Sequence, residues 1–332
     1  MGSGKSEPYR VLWETTTTGM VLSLAMPPDA EWIACTSDDE KMHCYDRQGD
    51  EMWTLPIGGD AGGIAYAHAA GRIVASSRDT GRITTASLDG RVLDEWDLDG
   101  ARILALDVTP DAALVGVGLC DGGVRLLDTR SRRELWRYET EQCIPRLALC
   151  SANRTVLASS IDDTIRVISW AGHLVWQYDG DEAEGFAGAA MSVDGNMAVV
   201  GGDDAIHCLA PGGRLLWRHP ISGKPALGVA VTPRGECVAA TAWPEVSGDG
   251  EGGVCLIDGE GSLLWQHHML QDICDVAITS DGRFLAVGTT AEVVFLENLL
   301  RPVGSSIVKE GLFAGAIAGS QVVRANTGER PR

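Results

Sequence analysis

Seven tryptophans recur at nearly even spacing and constrain the fold more than any other feature of the chain. They are Trp13, Trp53, Trp96, Trp136, Trp176, Trp217 and Trp265. The gaps between them are 40, 43, 40, 40, 41 and 48 residues. Most follow a tight turn and two or three further residues that are largely apolar, as in Gly213-Arg-Leu-Leu-Trp217. A period of about 40–45 residues predicts one four-stranded unit per repeat.

Within each repeat, short apolar runs alternate with turn sequences rich in Asp and Gly. In the fifth repeat the runs Ala187–Met191, Met197–Val200, Ala205–Leu209 and Arg214–Trp217 are predicted as strands a, b, c and d. Short β-rich runs separated by such turns are typical of consecutive hairpins. The sequence therefore predicts an all-β fold, a seven-bladed β-propeller of four-stranded antiparallel blades.

The ring is expected to close through the N-terminus. The seventh repeat has strands a, b and c but lacks its own Trp-bearing strand, and Tyr9-Arg-Val-Leu-Trp13 supplies one. Closure protects the strand edges of the sheets. We expect a flexible N-terminus over 1–8, the propeller over 9–298 and a C-terminal extension over 299–332 that is partly helical.

Charge and cysteine content bound the environment. The formal net charge is −19, from 46 acidic and 27 basic residues, which disfavours binding to nucleic acid. The nine cysteines include no C-x-x-C pair, so we interpret them as buried free thiols in a reducing compartment. The start of the sequence lacks an apolar signal region, and no run of 18 apolar residues occurs. We expect a cytoplasmic protein without a membrane span.

Over residues 9–298 the repeats resemble those of WD40 and quinoprotein-like (PQQ-like) β-propellers. The Trp phrase is nearer to the quinoprotein-like form, since the Trp-Asp dipeptide of WD40 repeats occurs only at Trp96-Asp97. Quinoprotein dehydrogenases have eight blades, a bound calcium and usually an adjacent Cys pair. Seven repeats and no adjacent cysteines predict that this chain carries no pyrroloquinoline quinone and no other cofactor.

Acidic residues recur where the loops of one face should lie. Alignment of the repeats places Asp39, Asp121, Asp162 and Asp203 at equivalent b–c turns, while Asp179 and Asp181 fall in a d–a loop. Strand alternation puts both sets of loops on one face. They predict an acidic rim for a basic partner or a cation; alternatively, Asp is simply the favoured residue of tight turns.

The repeat is interrupted once, between strands b and c of the sixth unit, by residues 243–253. Trp243 stands at the start of this segment, outside the repeat. An exposed aromatic residue there would serve as an interface anchor. The alternatives of a partner contact and a loop anchor are both open. The apolar part of the C-terminal extension, with Gly315 and Gly319 in a G-x-x-x-G, would either pack on the propeller, be disordered or dock on a partner.

No catalytic or metal-binding pattern stands out. The sequence lacks G-x-S-x-G, Walker and H-E-x-x-H motifs. His43 and His207 occupy matching places on strand c, beside cysteines that point to the opposite side of the sheet, which favours core positions over a metal site. We predict no catalytic and no metal-binding residues.

The sequence thus predicts a non-enzymatic interaction scaffold or accessory subunit. It would bind partner proteins through the acidic loop-rich face, the C-terminal extension or both. The alternatives are a central-channel enzyme, of the lactonase type or a metal-assisted hydrolase, and a PQQ-like binding module.

Overall fold

A computed structural model describes residues 7–180, 185–221, 225–242, 252–303 and 306–309 of the chain. It contains seven four-stranded antiparallel sheets, each with the order a-b-c-d from the centre outwards. The prediction of an all-β seven-bladed propeller is confirmed. Among the described residues no helix could cross a membrane.

The N-terminal strand is β1 (Tyr9–Thr16), and blades 1 to 3 follow it without interruption. Blade 1 consists of β2 (Val21–Ala25), β3 (Trp32–Ser37), β4 (Lys41–Asp46) and β5 (Glu51–Pro56). Blade 2 consists of β6 (Ala61–Ala67), β7 (Arg72–Ser77), β8 (Arg82–Ser87) and β9 (Val92–Asp97). Blade 3 consists of β10 (Ile103–Val108), β11 (Leu114–Leu119), β12 (Gly123–Asp128) and β13 (Arg133–Glu139).

Blades 4 to 6 repeat the same order. Blade 4 consists of β14 (Arg146–Cys150), β15 (Thr155–Ser160), β16 (Thr164–Ser169) and β17 (Leu174–Asp179). Blade 5 consists of β18 (Gly188–Met191), β19 (Ala198–Gly201), β20 (Ala205–Ala210) and β21 (Arg214–Pro220), within a few residues of the strands predicted for the fifth repeat. Blade 6 consists of β22 (Val229–Val231), β23 (Cys237–Ala242), β24 (Gly252–Asp258) and β25 (Leu263–Met269).

Blade 7 joins the two ends of the propeller. Its strands β26 (Ile273–Ile278), β27 (Phe284–Thr289) and β28 (Glu292–Asn298) are completed by β1, which pairs antiparallel with β28 from Tyr9↔Asn298 to Thr16↔Glu292. The predicted closure is confirmed. In the C-terminal extension, β29 (Leu300–Val303) and β30 (Ser306–Lys309) form a hairpin, and 310–332 lie outside the described residues.

The apolar core lies between neighbouring blades. Strands b and c bury almost every apolar side chain, as at Ile33, Val156 and Val294, because each sheet is covered on both faces by its neighbours. The outer strands alternate between half-buried and exposed positions. Burial of apolar surface in these layers stabilises the ring by about 25 cal/mol for each Å² removed from water.

Tryptophans of the outer strands join blade to blade, as the spacing predicted. The Trp53 indole donates to the Leu88 carbonyl of blade 2 at 2.9 Å, and its ring covers Gly90 in the same turn. Trp136 repeats this contact, donating to the Trp170 carbonyl and covering Gly172. These glycines have positive φ and leave no room for a Cβ under the ring, which is why the turn before each outer strand favours Gly.

Candidate interaction face

The strand order divides the loops into two faces. We call the side that carries the b–c turns and d–a loops the loop face, and the side that carries the a–b and c–d turns the turn face. Because consecutive strands are antiparallel, the ends of strands b and d lie on the same side of every blade. Asp39, Asp121, Asp162, Asp203 and Asp179 all lie on the loop face, as predicted.

Asp39 belongs to a polar cluster at the rim of blade 1. Its carboxylate accepts a hydrogen bond from Thr18 Oγ1, and its Oδ2 lies 3.1 Å from Nε2 of the buried His43 ring. The other ring nitrogen, Nδ1, lies 2.9 Å from Glu51 Oε1, which also accepts from Thr54 Oγ1. Ionised carboxylates can only accept, so a ring nitrogen that carries a proton donates to the carboxylate it faces, and the tautomer decides which nitrogen that is.

The two carboxylates of this cluster are held in their ionised form. Burial works to raise the pKa of Asp39, but hydrogen bonds from Thr18 and His43 outweigh it and the pKa lies below its usual value. Hydrogen bonds from Thr54 and His43 lower the pKa of Glu51. The Thr18 and Thr54 hydroxyls donate to these carboxylates, Thr18 to Asp39 and Thr54 to Glu51.

Two of the other aligned aspartates are paired with arginines of their own blade. Asp162 Oδ2 lies 3.0 Å from Arg166 Nη1, with both side chains largely buried. Asp121 Oδ2 lies 3.6 Å from Arg137 Nη2 at the surface. These contacts hold strands c and d in place and reduce the charge that the two aspartates offer to a partner.

Asp203 and Asp179 are exposed at the ends of β19 and β17. Asp179 accepts a hydrogen bond from the Gln177 side-chain amide. The predicted partner contacts Asp181 and Trp243 lie outside the described residues.

Exposed charge on the loop face is predominantly acidic. The exposed bases described there are Arg102, Arg137 and Arg218. The exposed acids described there are Asp38, Glu40, Asp60, Asp79, Asp97, Asp99, Asp121, Glu139, Glu141, Asp179, Asp203, Asp204 and Asp272. A face with this imbalance attracts cationic ligands and partners.

The inner strands enclose an axial channel with a cavity of about 390 Å³. Most of the residues that line it are apolar, as the small residues of strand a predicted, but Arg146 reaches across it. From β14 of blade 4, the Arg146 guanidinium donates to the Leu22 carbonyl of blade 1 and the Cys274 carbonyl of blade 7, each at 3.3 Å. It also lies 3.8 Å from Asp275 Oδ1. Arg146 therefore ties together three blades near the loop face.

Two aspartates of the channel connect neighbouring inner strands. Asp275 Oδ2 accepts from the Leu24 amide at 2.9 Å, and Asp107 Oδ2 accepts from the Leu149 amide at 2.7 Å. Enclosure by the inner strands raises the pKa of Asp107 to about 6, although these hydrogen bonds work against the rise. Desolvation likewise raises the pKa of Asp275, in spite of the nearby Arg146.

Sequence reasoning missed these three channel residues. A signal was present, since Arg146, Asp107 and Asp275 each interrupt a run that is otherwise small and apolar. The histidines were placed correctly. His43 and His207 are buried in strand c, while His267 is half-buried with Nδ1 3.0 Å from the Tyr9 hydroxyl.

The channel does not fit a quinone cofactor that carries several carboxylates. Such a group needs basic partners, and the bases that line the cavity are Arg146 and His68. The Arg146 guanidinium already donates to backbone carbonyls. Within the described part of the chain, no three His, Cys, Asp or Glu side chains are grouped so that they could hold a metal ion.

Comparison with known proteins identifies the repeats. The family model described as outer membrane protein assembly factor BamB, a PQQ-like repeat family, matches residues 9–168 and again residues 120–299. The two matches together span all seven blades. No curated protein matches the chain.

Proposed function

The chain belongs to the PQQ-like propeller family described as outer membrane protein assembly factor BamB, and from that premise we propose that it is a non-enzymatic protein-binding scaffold or accessory subunit. It binds a protein partner through the loop face. The partner surface is basic, since it must complement this face.

The acidic imbalance of the loop face carries the proposal. Asp179, Asp203 and Asp204 are exposed at strand ends of blades 4 and 5, where the exposed base described on the loop face is Arg218, which pairs with Asp204. Long-range attraction of this kind accelerates the encounter with an oppositely charged partner and weakens as salt is added. A rigid ring that displays loops of one sign suits such a role.

The charged residues of the channel have a structural role in this proposal. Arg146 donates to backbone carbonyls of blades 1 and 7, while Asp107 and Asp275 accept from backbone amides of the neighbouring blade. Groups used in this way hold the inner strands in register. A binding surface then has to be sought on the loops and not along the axis.

We place the protein in a reducing compartment, the cytoplasm. All nine cysteines are free, and seven of them are buried. Unpaired thiols in this number are typical of reducing compartments. Immunodetection after cell fractionation checks this, and recovery with the envelope fraction would contradict it.

Charge reversal on the loop face tests the proposal. Purified wild-type protein and the variant Asp179→Lys/Asp203→Lys are used as baits in extract of the native organism, with chemical cross-linking and mass spectrometry to map the contacts. The matched control is Asp50→Lys/Glu260→Lys, which reverses two exposed acids on the turn face.

We expect a partner that cross-links to the loop face of wild-type protein and of the control, and that is lost with the loop-face variant and at high salt. Recovery of the same partner by all three baits would contradict the proposed face. Failure to recover any partner above background would contradict the scaffold role.

The alternative is a hydrolase that uses the axial channel. The 390 Å³ cavity and the pKa of about 6 at Asp107 favour it, because a carboxylate in this range can act as a general base near neutral pH. Stoichiometric calcium or zinc in the purified protein would favour this alternative over the scaffold.

A further inference from the structure

The joint between blades 2 and 3 differs from the other Trp–Gly joints. At four other joints a glycine of positive φ lies directly under the tryptophan of the preceding blade: Gly49 under Trp13, Gly90 under Trp53, Gly172 under Trp136 and Gly261 under Trp217. At each of these joints an added Cβ would lie 3.0 Å or less from the indole ring. The close approach leaves no space for a ligand.

Blade 3 has Arg132 at the position of these glycines, four residues before Trp136. Its φ is 53°, so an arginine adopts a left-handed conformation that costs a non-glycine residue about 1–2 kcal/mol. The facing strand β9 also has two more residues between its turn glycine, Gly90, and Trp96 than the other outer strands have. The joint holds a cavity of about 440 Å³ on the turn face.

Charged groups line this cavity. Arg72 comes from β7, while Arg130 and Arg132 come from the c–d turn of blade 3; the carboxylates of the lining are Asp94 and Asp111. By contrast, the cavity of about 360 Å³ at the joint of blades 4 and 5 is lined by uncharged residues in the described chain. The charged lining therefore distinguishes the cavity at the blade 2–3 joint from the one at the blade 4–5 joint.

Both carboxylates are already engaged. Asp94 pairs with Arg132, and Asp111 Oδ1 accepts from the Thr109 hydroxyl and the Ala113 amide. Arg72 and Arg130 make no ion pair within 4.0 Å among the residues that the structure describes. Guanidinium groups stay charged at any physiological pH, and hydrogen bonds from Thr109 and Ala113 keep Asp111 ionised by lowering its pKa. The lining therefore carries three positive and two negative charges, an excess of one cation in a protein whose net charge is −19.

We propose that this cavity binds a small organic anion, a carboxylate or phosphate group carried on a short apolar or aromatic body. Arg72 and Arg130 pair with the anion, since the planar guanidinium matches carboxylate and phosphate oxygens in a bidentate manner. Trp96, Val74 and Ala112 supply the apolar wall. A volume of this size falls within the range of small-molecule sites. The site is on the opposite face from the proposed protein contact and does not depend on it.

Isothermal titration calorimetry of the full chain with three probes tests the site. Phenyl phosphate and benzoate carry the anion, and benzamide is the neutral counterpart of the same shape. We expect binding of one or both anions and none of benzamide; stronger binding of phenyl phosphate would assign a phosphate ligand, and stronger binding of benzoate a carboxylate.

Arginine variants locate the binding. Arg72→Gln/Arg130→Gln should weaken anion binding at least tenfold, while its melting temperature stays close to that of wild-type, because both side chains are exposed. Arg91→Gln is the matched control, since Arg91 is an exposed turn-face arginine of blade 2 that pairs with Asp89 outside the cavity. Equal binding by wild-type and the double variant, binding of benzamide as tight as that of the anions, or absence of binding up to about 10 mM would overturn the proposal.

Discussion

Trp13 covers Gly49 and so joins the N-terminal strand to the first blade. The Trp13 indole donates to the Arg47 carbonyl at 3.0 Å, and a Cβ at Gly49 would lie 2.8 Å from the indole Cδ2. Trp13 also contacts Phe295 of β28, with ring centroids 5.4 Å apart. One side chain therefore links the strand that completes blade 7 to both blade 7 and blade 1.

Gly49→Ala should destabilise the ring at its closure by about 2–4 kcal/mol. The added methyl group collides with the Trp13 ring, and the φ of 91° is unfavourable for alanine. Chemical denaturation of the purified variant, followed by tryptophan fluorescence, measures the change in the free energy of unfolding.

Gly71→Ala is the matched control for this prediction. Gly71 also has positive φ, at 61°, but no atom lies within 4 Å of the position of its Cβ. Its substitution should cost about 1 kcal/mol through backbone strain alone. Equal destabilisation by the two substitutions would show that the Trp13 contact adds nothing to ring closure.

The repeat spacing was sufficient to predict the blades and their closure, because both depend on local patterns. Trp265 and Trp13 stand in strands d of consecutive blades, although one lies near the end of the chain and the other near its start. The last blade lacks a strand d and the N-terminus has one to spare, so the two can be matched from the sequence alone. The burial of His43 and His207 could also be predicted, because successive side chains of strand c point to opposite faces of the sheet.

The partners of individual side chains could not be predicted in this way. Arg146 bonds to residues 124 and 128 positions away, and that reach depends on the diameter of the ring. The pairing of Asp162, in a b–c turn, with Arg166 of the following strand depends on side-chain rotamers, which the hydrophobic pattern of the sequence does not define. By contrast, Arg132 could have been noticed by aligning the position four residues before each tryptophan.

Arg154→Gly should stabilise the protein by roughly 0.5–1 kcal/mol. Arg154 has a φ of 57° in the a–b turn of blade 4, where blades 5, 6 and 7 have Gly195, Gly235 and Gly282 at positive φ. Its side chain is exposed, so little packing is lost. A higher denaturant midpoint with an unchanged m-value would fit this expectation, and a lower midpoint would contradict it.

Native protein should expose two of its nine thiols to a thiol reagent. Cys120 and Cys143 are partly exposed, and the other seven cysteines are buried. Burial raises the pKa of Cys44 and Cys208 to about 12, which suppresses the reactive thiolate. Ellman's reagent at pH 8 should therefore modify two thiols of the native protein, although burial also raises the pKa of Cys143 and slows its reaction, and the rest should react only after unfolding.

Replacement of both partly exposed cysteines checks this assignment. Cys120→Ser/Cys143→Ser should remove the fast phase and leave the slow one. A fast phase of more than two thiols in the wild-type, or one that survives the double substitution, would contradict the burial of the inter-blade cysteines.

Asp107 should make the protein less stable as the pH rises from about 4 to 6. Its pKa is about 6 in the folded chain, against 3.8 for an ordinary aspartate. Between these values the folded protein keeps a proton that the unfolded chain has released, so the free energy of unfolding falls with rising pH, by at most about 3 kcal/mol. Asp107→Asn cannot release this proton, and its side-chain oxygen can still accept from the Val108 amide.

Denaturation curves at pH 4, 5, 6 and 7 should therefore give a wild-type stability that declines relative to the variant up to pH 6 and then runs parallel to it. Asp111→Asn is the control: hydrogen bonds from Thr109 and Ala113 lower the pKa of Asp111, so its contribution is lost only towards more acid pH, and wild-type should not decline relative to this variant as the pH rises. A constant difference between wild-type and Asp107→Asn across this range would mean that the carboxylate is not desolvated in the channel.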